Sequence, residues 1–219
     1  MNNLSNINEF ISAISKPILP KVFNPWAQVC EMDIGIIGHI ARRGRLLKHL
    51  NCKDPRLVII GEAPGYQGCR YSGIAFTSER LIGESKIPRV SVPDGMRLTS
   101  RKKSWSEPSA TIVWGQLHEL GIADNTVMFN AFPWHPIGPN GDHSNRTPTS
   151  KEKDIGKEYL FMFLELFPNV NVVALGGTAH QTLTKLKVDH TEVRHPAYGG
   201  ANQCRLGLAE LIKKTNIFI

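Results

Sequence analysis

The sequence has few cysteines, and none of them form a closely spaced pair. The four residues are Cys30, Cys52, Cys69 and Cys204, scattered along 219 residues. Zinc ribbons and disulfide frameworks depend on recurring short cysteine spacings, so this pattern argues against both classes. Unpaired, reduced thiols are typical of cytosolic proteins, and we expect a cytoplasmic location.

Long apolar runs are also missing. No segment approaches the ~20 consecutive apolar residues that a membrane-spanning helix needs. The first residues, MNNLSNINEF, have neither the basic start nor the apolar stretch of a secretory signal peptide. We therefore predict a protein without a membrane partner.

Three nucleotide and hydrolase signatures are absent from the sequence. These are Gly-x-Gly-x-x-Gly, the phosphate-binding P-loop and the Gly-x-Ser-x-Gly nucleophile elbow. A small-molecule hydrolase or a nucleotide-binding α/β protein is consequently a weak hypothesis, although turnover of a nucleotide without DNA binding would support it.

Negative charge is scarce relative to positive charge. Lys and Arg number 26 against 19 Asp and Glu, which gives a net charge of +7. This balance favours a polyanionic partner such as nucleic acid. The densest basic segment, residues 86–105, contains six Lys or Arg and one Asp. Its Arg101, Lys102 and Lys103 are candidate phosphate contacts, and an ordinary solvated loop is an equally open interpretation.

Four short apolar runs predict buried parallel strands. They lie at residues 57–61, 126–132, 170–177 and 190–196. Apolar residues at helical spacing predict helices over 5–16, 33–50, 107–120, about 149–167 and 202–214. Alternating strands and helices predict a three-layer α/β/α fold with a central four-stranded parallel sheet. We expect one domain over residues 1–219, with an N-terminal helical extension of about 55 residues.

Polar and aromatic side chains follow the predicted strands where each strand ends. Glu62 and Gly65 follow the first strand, Phe76 follows in the next loop, and Asn130 and His195 end two later strands. In an open α/β sheet, ligands bind at the carboxyl ends of the strands. An aromatic face can stack on a base, and an Asn amide matches the O4 acceptor and N3–H donor of uracil. An imidazole can stabilise a departing anion, and a carboxylate can position water or stabilise a sugar cation.

Each of these residues also has a plain structural interpretation. Asn130 could cap a strand end, His195 could belong to a turn before Pro196, and Phe76 could be a core residue. Glu62 is the stronger candidate, because a carboxylate at the end of a buried strand needs compensation. Function is favoured by the combination rather than by any single member.

Six short motifs, in order and spacing, resemble the uracil-DNA glycosylase superfamily. They are GEAPG (61–65), SGIAF (72–76), FNAF (129–132), NRTPT (145–149), ALGGTA (174–179) and RHPAYGG (194–200). The resemblance runs from about residue 57 to 201. GEAPG and NRTPT are most similar to the family 4 enzymes, whereas the glycine-rich loop GYQGCRYSG with the following FTSE is more similar to family 5.

The resemblance implies a base-flipping, monofunctional DNA glycosylase that hydrolyses the bond between uracil and deoxyribose. The substrate would be uracil-containing DNA, single- or double-stranded, and the protein is expected to be a monomer. Carried over by motif, the resemblance places Gly61, Glu62, Ala63 and Gly65 on the water and sugar side of the pocket. It implies that Phe76 stacks on the base, Asn130 binds the edge of the base and His195 stabilises the departing anion. Tyr198 would be a wedge in the minor groove. Glu62 and His195 would be the catalytic residues.

Three departures from the family pattern bear on these expectations. Trp134 and Gly156 stand where family 4 enzymes place two of four cluster-binding cysteines, so we expect no iron–sulfur cluster and no other cofactor. Ala63 stands where the best-known enzymes carry a water-activating Asp. The resemblance therefore gives the role of the carboxylate at the water to Glu62 first, with Glu79 as the second candidate.

The third departure is Gly65, at the position of a Tyr that excludes thymine. Tyr66 or Tyr71 could compensate, and the acceptance of other deaminated bases stays open. The alternative hypothesis is a DNA-binding relative with weak or no catalysis, for which Ala63 is the favouring feature.

Two histidines, His135 and His143, are left without a role. They lack a third ligand at suitable spacing, so a metal site is weakly supported and none is predicted. Loop histidines near phosphates are the simpler interpretation.

Overall fold

A computed structural model describes residues 3–34, 38–93 and 96–215 of the chain. In chain order its elements are α1 (Asn3–Ile14), β1 (Val22–Phe23), α2 (Gly38–Leu50), β2 (Leu57–Gly61), α3 (Cys69–Ser72), α4 (Glu79–Gly83), α5 (Pro108–Glu119), a 3₁₀ turn (Ala123–Asn125), β3 (Thr126–Asn130), β4 (His135–Gly138), β5 (Gly141–Asn145), α6 (Ser150–Glu165), β6 (Asn171–Leu175), α7 (Gly177–Lys185), β7 (Thr191–Val193) and α8 (Ala201–Thr215).

The four predicted strands form one parallel sheet with the order β3-β2-β6-β7. Alternate side chains of β2 point to opposite faces, as the two-residue period of a strand requires. Leu57 and Ile59 pack with α5 and α8, whereas Val58 and Ile60 pack with α1, α2, α6 and α7. The three-layer α/β/α architecture with a central four-stranded parallel sheet is therefore confirmed.

Residues before β2 contribute directly to this core. Phe10 of α1 lies 5.3 Å from the ring of Phe129 on β3 and 6.0 Å from that of Phe163 on α6, between ring centroids. Burying an aromatic side chain of this size typically contributes about 1.5–3 kcal/mol. The N-terminal segment is consequently packed onto the sheet layer rather than attached at its edge.

The predicted helix at 33–50 begins later than the sequence pattern suggests, at Gly38. Residues 35–37 lie outside the described residues. Asp33 instead bridges to Thr99 and forms a buried ion pair with Arg42, with 2.5 Å between Oδ1 and Nη1. The carboxylate needs this partner because a buried unpaired charge is costly.

The sequence pattern did not predict several smaller elements. A second, antiparallel sheet joins β1, β4 and β5 in the order β1-β4-β5. Its strands are short, and β5 is the polar run GDHSN, so neither alternation nor β-branched residues mark it. The helices α3, α4 and α7 were also missed. The strand predicted at 170–177 ends at Leu175, and Gly177 already begins α7.

The basic segment 86–105 is anchored by one buried carboxylate. The Glu79 carboxylate accepts five hydrogen bonds from residues of this segment. The donors are the Arg97 guanidinium, the Leu98 and Thr99 N–H groups, the Thr99 hydroxyl and the Trp105 N–H. Burial would raise the pKa of Glu79, but these donors outweigh burial and lower it. Residues 97–105 therefore have a fixed path, although none of them belongs to a helix or a named strand.

Within the described residues, no helix is long and apolar enough to cross a membrane.

Candidate active-site cleft

The carboxyl ends of the parallel strands open into a cleft of about 750 Å³. The cleft is lined by seven of the residues predicted for the site. They are Glu62, Ala63, Gly65, Phe76, Asn130, His195 and Tyr198. They come from four separate parts of the sequence, and the sheet brings them together because parallel strands end at the same edge.

Phe76 and Asn130 form the floor of the cleft, and Gly61 packs against both side chains without lining the cleft itself. A Cβ built on Gly61 would lie 2.6 Å from Phe76 Cζ and 2.7 Å from Asn130 Oδ1, so only glycine lets both side chains approach. Phe76 is 7% exposed and has a φ of 50°. A bulky residue in the left-handed region is strained by about 1–3 kcal/mol, which the surrounding packing must offset. Such strain is commonly found at functional sites.

His195 follows β7 and faces Phe76 with 6.0 Å between ring centroids and an angle of 42°. Its Nδ1 accepts a hydrogen bond from the Ala197 N–H at 3.1 Å. Burial, and to a lesser extent Arg194, lowers the pKa of His195. The imidazole is therefore neutral at pH 7 and carries its hydrogen on Nε2, as a donor for a ligand in the cleft.

Of the two candidate carboxylates, only Glu62 lines the cleft. Its Oε1 is buried and has no hydrogen-bond partner among the described residues. Glu79, the reserve carboxylate, lies outside the cleft lining, and its hydrogen bonds to residues 97–105 occupy both oxygens. A ligand or water in the cleft can donate the hydrogen bond that Glu62 Oε1 lacks. Glu79 instead has a structural role.

The two tyrosines that could compensate for Gly65 lie elsewhere. Neither Tyr66 nor Tyr71 lines the cleft. Tyr71 is 1% exposed and stacks on Trp105 at 5.4 Å, and Tyr66 packs edge-on against the same indole at 5.6 Å. Both rings are held by this aromatic cluster because stacking and edge contacts stabilise them there.

Tyr198 stands at the mouth of the cleft, in the loop between β7 and α8. It is 98% exposed and has a φ of 52°. An aromatic ring placed in solvent by a left-handed backbone buries nothing in the free protein. It is available to insert between bases or to pack on a nucleotide.

The basic candidates Arg101, Lys102 and Lys103 lie outside the cleft lining. The Arg101 guanidinium stacks over the Trp105 ring at 4.1 Å and donates to the Lys103 carbonyl. Lys102 and Lys103 are exposed. These cations are therefore displayed on the surface of the segment that Glu79 anchors.

The two unplaced histidines have different positions. His143 is exposed and packs near Trp105, with 5.6 Å between ring centroids. His135 is buried on β4, where its Nδ1 accepts from Arg70 at 2.9 Å. Burial and Arg70 lower the pKa of His135 to about 4. The interpretation of His135 as a phosphate-facing loop histidine is consequently wrong.

Two further cleft residues, Glu107 and Asn145, have side chains whose importance the sequence did not indicate. Glu107 precedes Pro108 at the start of α5, where a carboxylate would normally be read as a helix cap. Asn145 begins the NRTPT motif and ends β5. No local pattern distinguishes a capping carboxylate from one that turns into a cleft.

Among the described residues, no group of three or more His, Cys, Asp or Glu side chains is arranged to hold a metal ion. All four cysteines are buried and unpaired.

Comparison with known proteins places this geometry in a family. The model of the uracil DNA glycosylase superfamily matches residues 47–215. The crystal structure of wild-type SMUG2 from Pedobacter heparinus is similar in fold, with a TM-score of 0.69 and 19% sequence identity. The alignment covers 99% of this chain and 97% of that one. No curated protein sequence gives a significant match.

Proposed function

Because the chain belongs to the uracil DNA glycosylase superfamily, we propose that it is a monofunctional DNA glycosylase that releases uracil from DNA. The observation that carries the proposal is the floor of the cleft, where Gly61 admits the Phe76 ring and the Asn130 amide side by side. A stacking face next to an amide that both donates and accepts suits a planar base with a carbonyl and an imide N–H. His195 faces the same ring from β7.

In this proposal the uracil nucleotide leaves the stack and its base enters the cleft. Extrusion costs a few kcal/mol, and a mispaired base lowers that cost. Phe76 stacks on the base and Asn130 binds O4 and N3–H. The Tyr198 ring, exposed at the mouth of the cleft, fills the gap left in the DNA.

The chemical step breaks the bond between C1′ of the deoxyribose and N1 of uracil. The bonding electrons leave with the base, which becomes an anion that accepts a hydrogen bond from His195 Nε2–H. Water adds to the cationic C1′ and gives its proton to the solvent, from which the released uracil anion takes up one proton. The Glu62 carboxylate positions the water or stabilises the cation. The products are free uracil and an abasic site, without strand cleavage.

The surface charge supports DNA as the partner. Arg101, Lys102 and Lys103 project from the segment anchored by Glu79, and the net charge of the chain is +7. Cations on a rigid segment bind phosphates with little loss of conformational freedom. We propose that they contact the DNA backbone and that the protein acts as a cytoplasmic monomer.

One feature favours a second function, that of a DNA-binding relative with weak or no catalysis. Ala63 lines the cleft and offers no carboxylate there. This alternative predicts tight, salt-dependent DNA binding without release of any base.

The test uses labelled single-stranded and duplex oligonucleotides that contain one uracil, with matched oligonucleotides that contain thymine at the same position. After incubation with the protein, alkali cleaves the strand wherever an abasic site was made. We expect cleavage at uracil. Binding to the uracil duplex without any cleavage would overturn the proposed activity in favour of the DNA-binding alternative.

A further inference from the structure

Glu107 is a carboxylic group that the mechanism above does not use, although it lines the same cleft. It immediately precedes α5, yet its side chain makes no capping hydrogen bond to the helix. A carboxylate at this position normally accepts from the free N–H groups of the first turn and is stabilised by the helix dipole. Because Glu107 turns away from these groups, its ionised form lacks that stabilisation.

Gly68 makes the space that the Glu107 carboxyl occupies, and Gly65 lies beside it at van der Waals distance. A Cβ built on Gly68 would collide with Oε2, and one built on Gly65 would lie 3.4 Å from Oε1. Oε2 is buried and finds no hydrogen-bond partner among the described residues. Leaving a buried polar atom unpaired costs about 1–3 kcal/mol, so a ligand that pairs with it gains a corresponding advantage.

Asn145 points its amide at the same place. Its Oδ1 accepts from the Tyr66 N–H at 2.9 Å and lies 3.2 Å from His135 Nε2. Since Arg70 donates to His135 Nδ1, His135 Nε2 carries the hydrogen and is the donor to Asn145. These two donors fix the orientation of the amide, and Nδ2 lies 3.7 Å from the Cβ position of Gly65.

We propose that Glu107, as a neutral carboxylic acid, and the Asn145 amide together donate hydrogen bonds to an acceptor atom of the flipped base, so that Glu107 is a further catalytic residue of the cleft. This inference rests on the proposed glycosylase function. A neutral acid can donate where a carboxylate would repel the departing base anion.

The charges around Glu107 agree with a neutral acid. Burial raises its pKa to about 7. On α3 the titratable group that faces Glu107 is the Cys69 thiol. Burial and Glu107 both raise the pKa of this thiol, so it is uncharged. On the β4–β5 side, Asn145 is uncharged and His135 stays neutral because its pKa is lowered to about 4. DNA phosphates and a leaving anion would raise the pKa of Glu107 further, since negative charge disfavours a second carboxylate.

The raised pKa of Glu107 determines how base release should depend on pH. A group with a pKa raised to about 7 is protonated below that pH and ionises above it. If the protonated form is the active one, single-turnover base release falls about tenfold per pH unit above the transition. Glu107→Gln keeps a donor and an acceptor but cannot ionise. Glu107→Ala removes the donor.

The experiment measures single-turnover uracil release between pH 5.5 and 9 for the wild type, Glu107→Gln, Glu107→Ala and the control Glu119→Gln. Glu119 is an exposed carboxylate at the opposite end of the same helix. Because bound DNA raises the pKa of Glu107 above its value of about 7 in the free protein, we expect the wild type and Glu119→Gln to lose activity in a transition between about pH 7 and 9. Glu107→Gln should lose that transition and retain more of the low-pH rate than Glu107→Ala. Glu107→Ala should be slower at low pH by about tenfold or more. A transition that persists in Glu107→Gln, or a wild-type rate in Glu107→Ala, overturns the proposal.

A second measurement separates this inference from the proposed function. The ¹³C carboxyl resonance of Glu107, identified as the signal missing from Glu107→Gln, is titrated in the free protein and with an abasic-site duplex. We expect a transition near pH 7 that moves to higher pH with DNA. Ionisation below pH 5 overturns the neutral acid whatever base the protein releases. Failure to release uracil together with the expected titration overturns only the proposed uracil activity.

Discussion

At the scale of single residues, the packing around Gly61 leaves no room for a side chain. Its missing side chain lets Phe76 and Asn130 meet, and a methyl group there would approach both within 2.7 Å. Real Cβ atoms do not come so close to other heavy atoms, so either the ring or the amide must move. The geometry of the base site therefore depends on one hydrogen atom in place of a methyl group.

Substitution Gly61→Ala should lower single-turnover uracil release at least tenfold, because the displaced Phe76 and Asn130 no longer fit the base. The matched control is Gly115→Ala. Gly115 lies on an exposed face of α5 with open space at its Cβ position, and alanine there should stabilise the protein by about 0.5–1 kcal/mol. Thermal unfolding and kinetics of both variants check this, and a fully active Gly61→Ala would contradict the assigned floor of the cleft.

The directions of the Glu107 and Glu79 side chains could not be predicted from the sequence. The motif residues at strand ends were brought together as expected, because parallel strands share one carboxyl edge. Whether a carboxylate faces a cleft, as Glu107 does, or a loop, as Glu79 does, depends on side-chain direction after a turn. No spacing in the sequence encodes that direction.

At the scale of elements, strong periodicity was the reliable signal. The strands β2, β3 and β6 contain continuous apolar runs, and these strands and the short, mostly polar β7 were each located within a few residues. The hairpin β4–β5 has no such run, and its Asp142 is held by the buried Arg70 at 2.6 Å. An ion pair between residues 72 positions apart stabilises strands that local propensity does not favour, so the sequence pattern could not predict them.

The NRTPT motif has a structural component at this scale. Thr149 and Glu152 form a capping box at the start of α6, and Arg146 donates two hydrogen bonds to the Glu152 carboxylate at 2.6 and 2.7 Å. The cap satisfies free N–H groups of the first turn. Arg146 also lines the cleft, so the box fixes one wall of it.

Glu79 offers a prediction about the basic segment. Glu79→Gln keeps the size of the side chain but removes the charge that the Arg97 guanidinium and the Thr99 and Trp105 N–H groups bind. Hydrogen bonds to a charged group contribute about 1.5–3 kcal/mol, so we expect a loss of stability of about 2 kcal/mol. Urea unfolding measures it. An unchanged midpoint would contradict the anchoring role, and Glu84→Gln, on a more exposed surface pair, is the control.

At the scale of the whole molecule, charge and shape act together. In the proposed function, the excess of basic residues draws DNA to the protein at long range, and the cleft at the sheet edge then receives one base. The cations of residues 101–103 lie outside the cleft, so they can bind backbone while the base site is filled. Affinity and base release are therefore separable properties.

The double substitution Lys102→Ala, Lys103→Ala tests this separation. If both lysines contact phosphates, the slope of log affinity against log salt should fall by about 1.8 for duplex DNA, since each contact contributes about 0.9. Lys213→Ala, Lys214→Ala is the matched control, because these exposed residues lie at the far end of α8, about 20 Å along the helix from the cleft loop. An equal change in both variants would show that net charge alone, and not this segment, determines binding.

The most direct test of the central claim is single-turnover release of uracil by the wild type and by His195→Ala, measured beside the affinity of each for the same duplex. In the proposed mechanism His195 Nε2–H donates to the departing base, because Nδ1 already accepts from the Ala197 N–H. Removing such a donor typically lowers the rate by ~10²–10³. We predict that loss in His195→Ala with unchanged affinity for DNA. Wild-type rates in the variant, or no release of uracil by the wild type, would contradict the account.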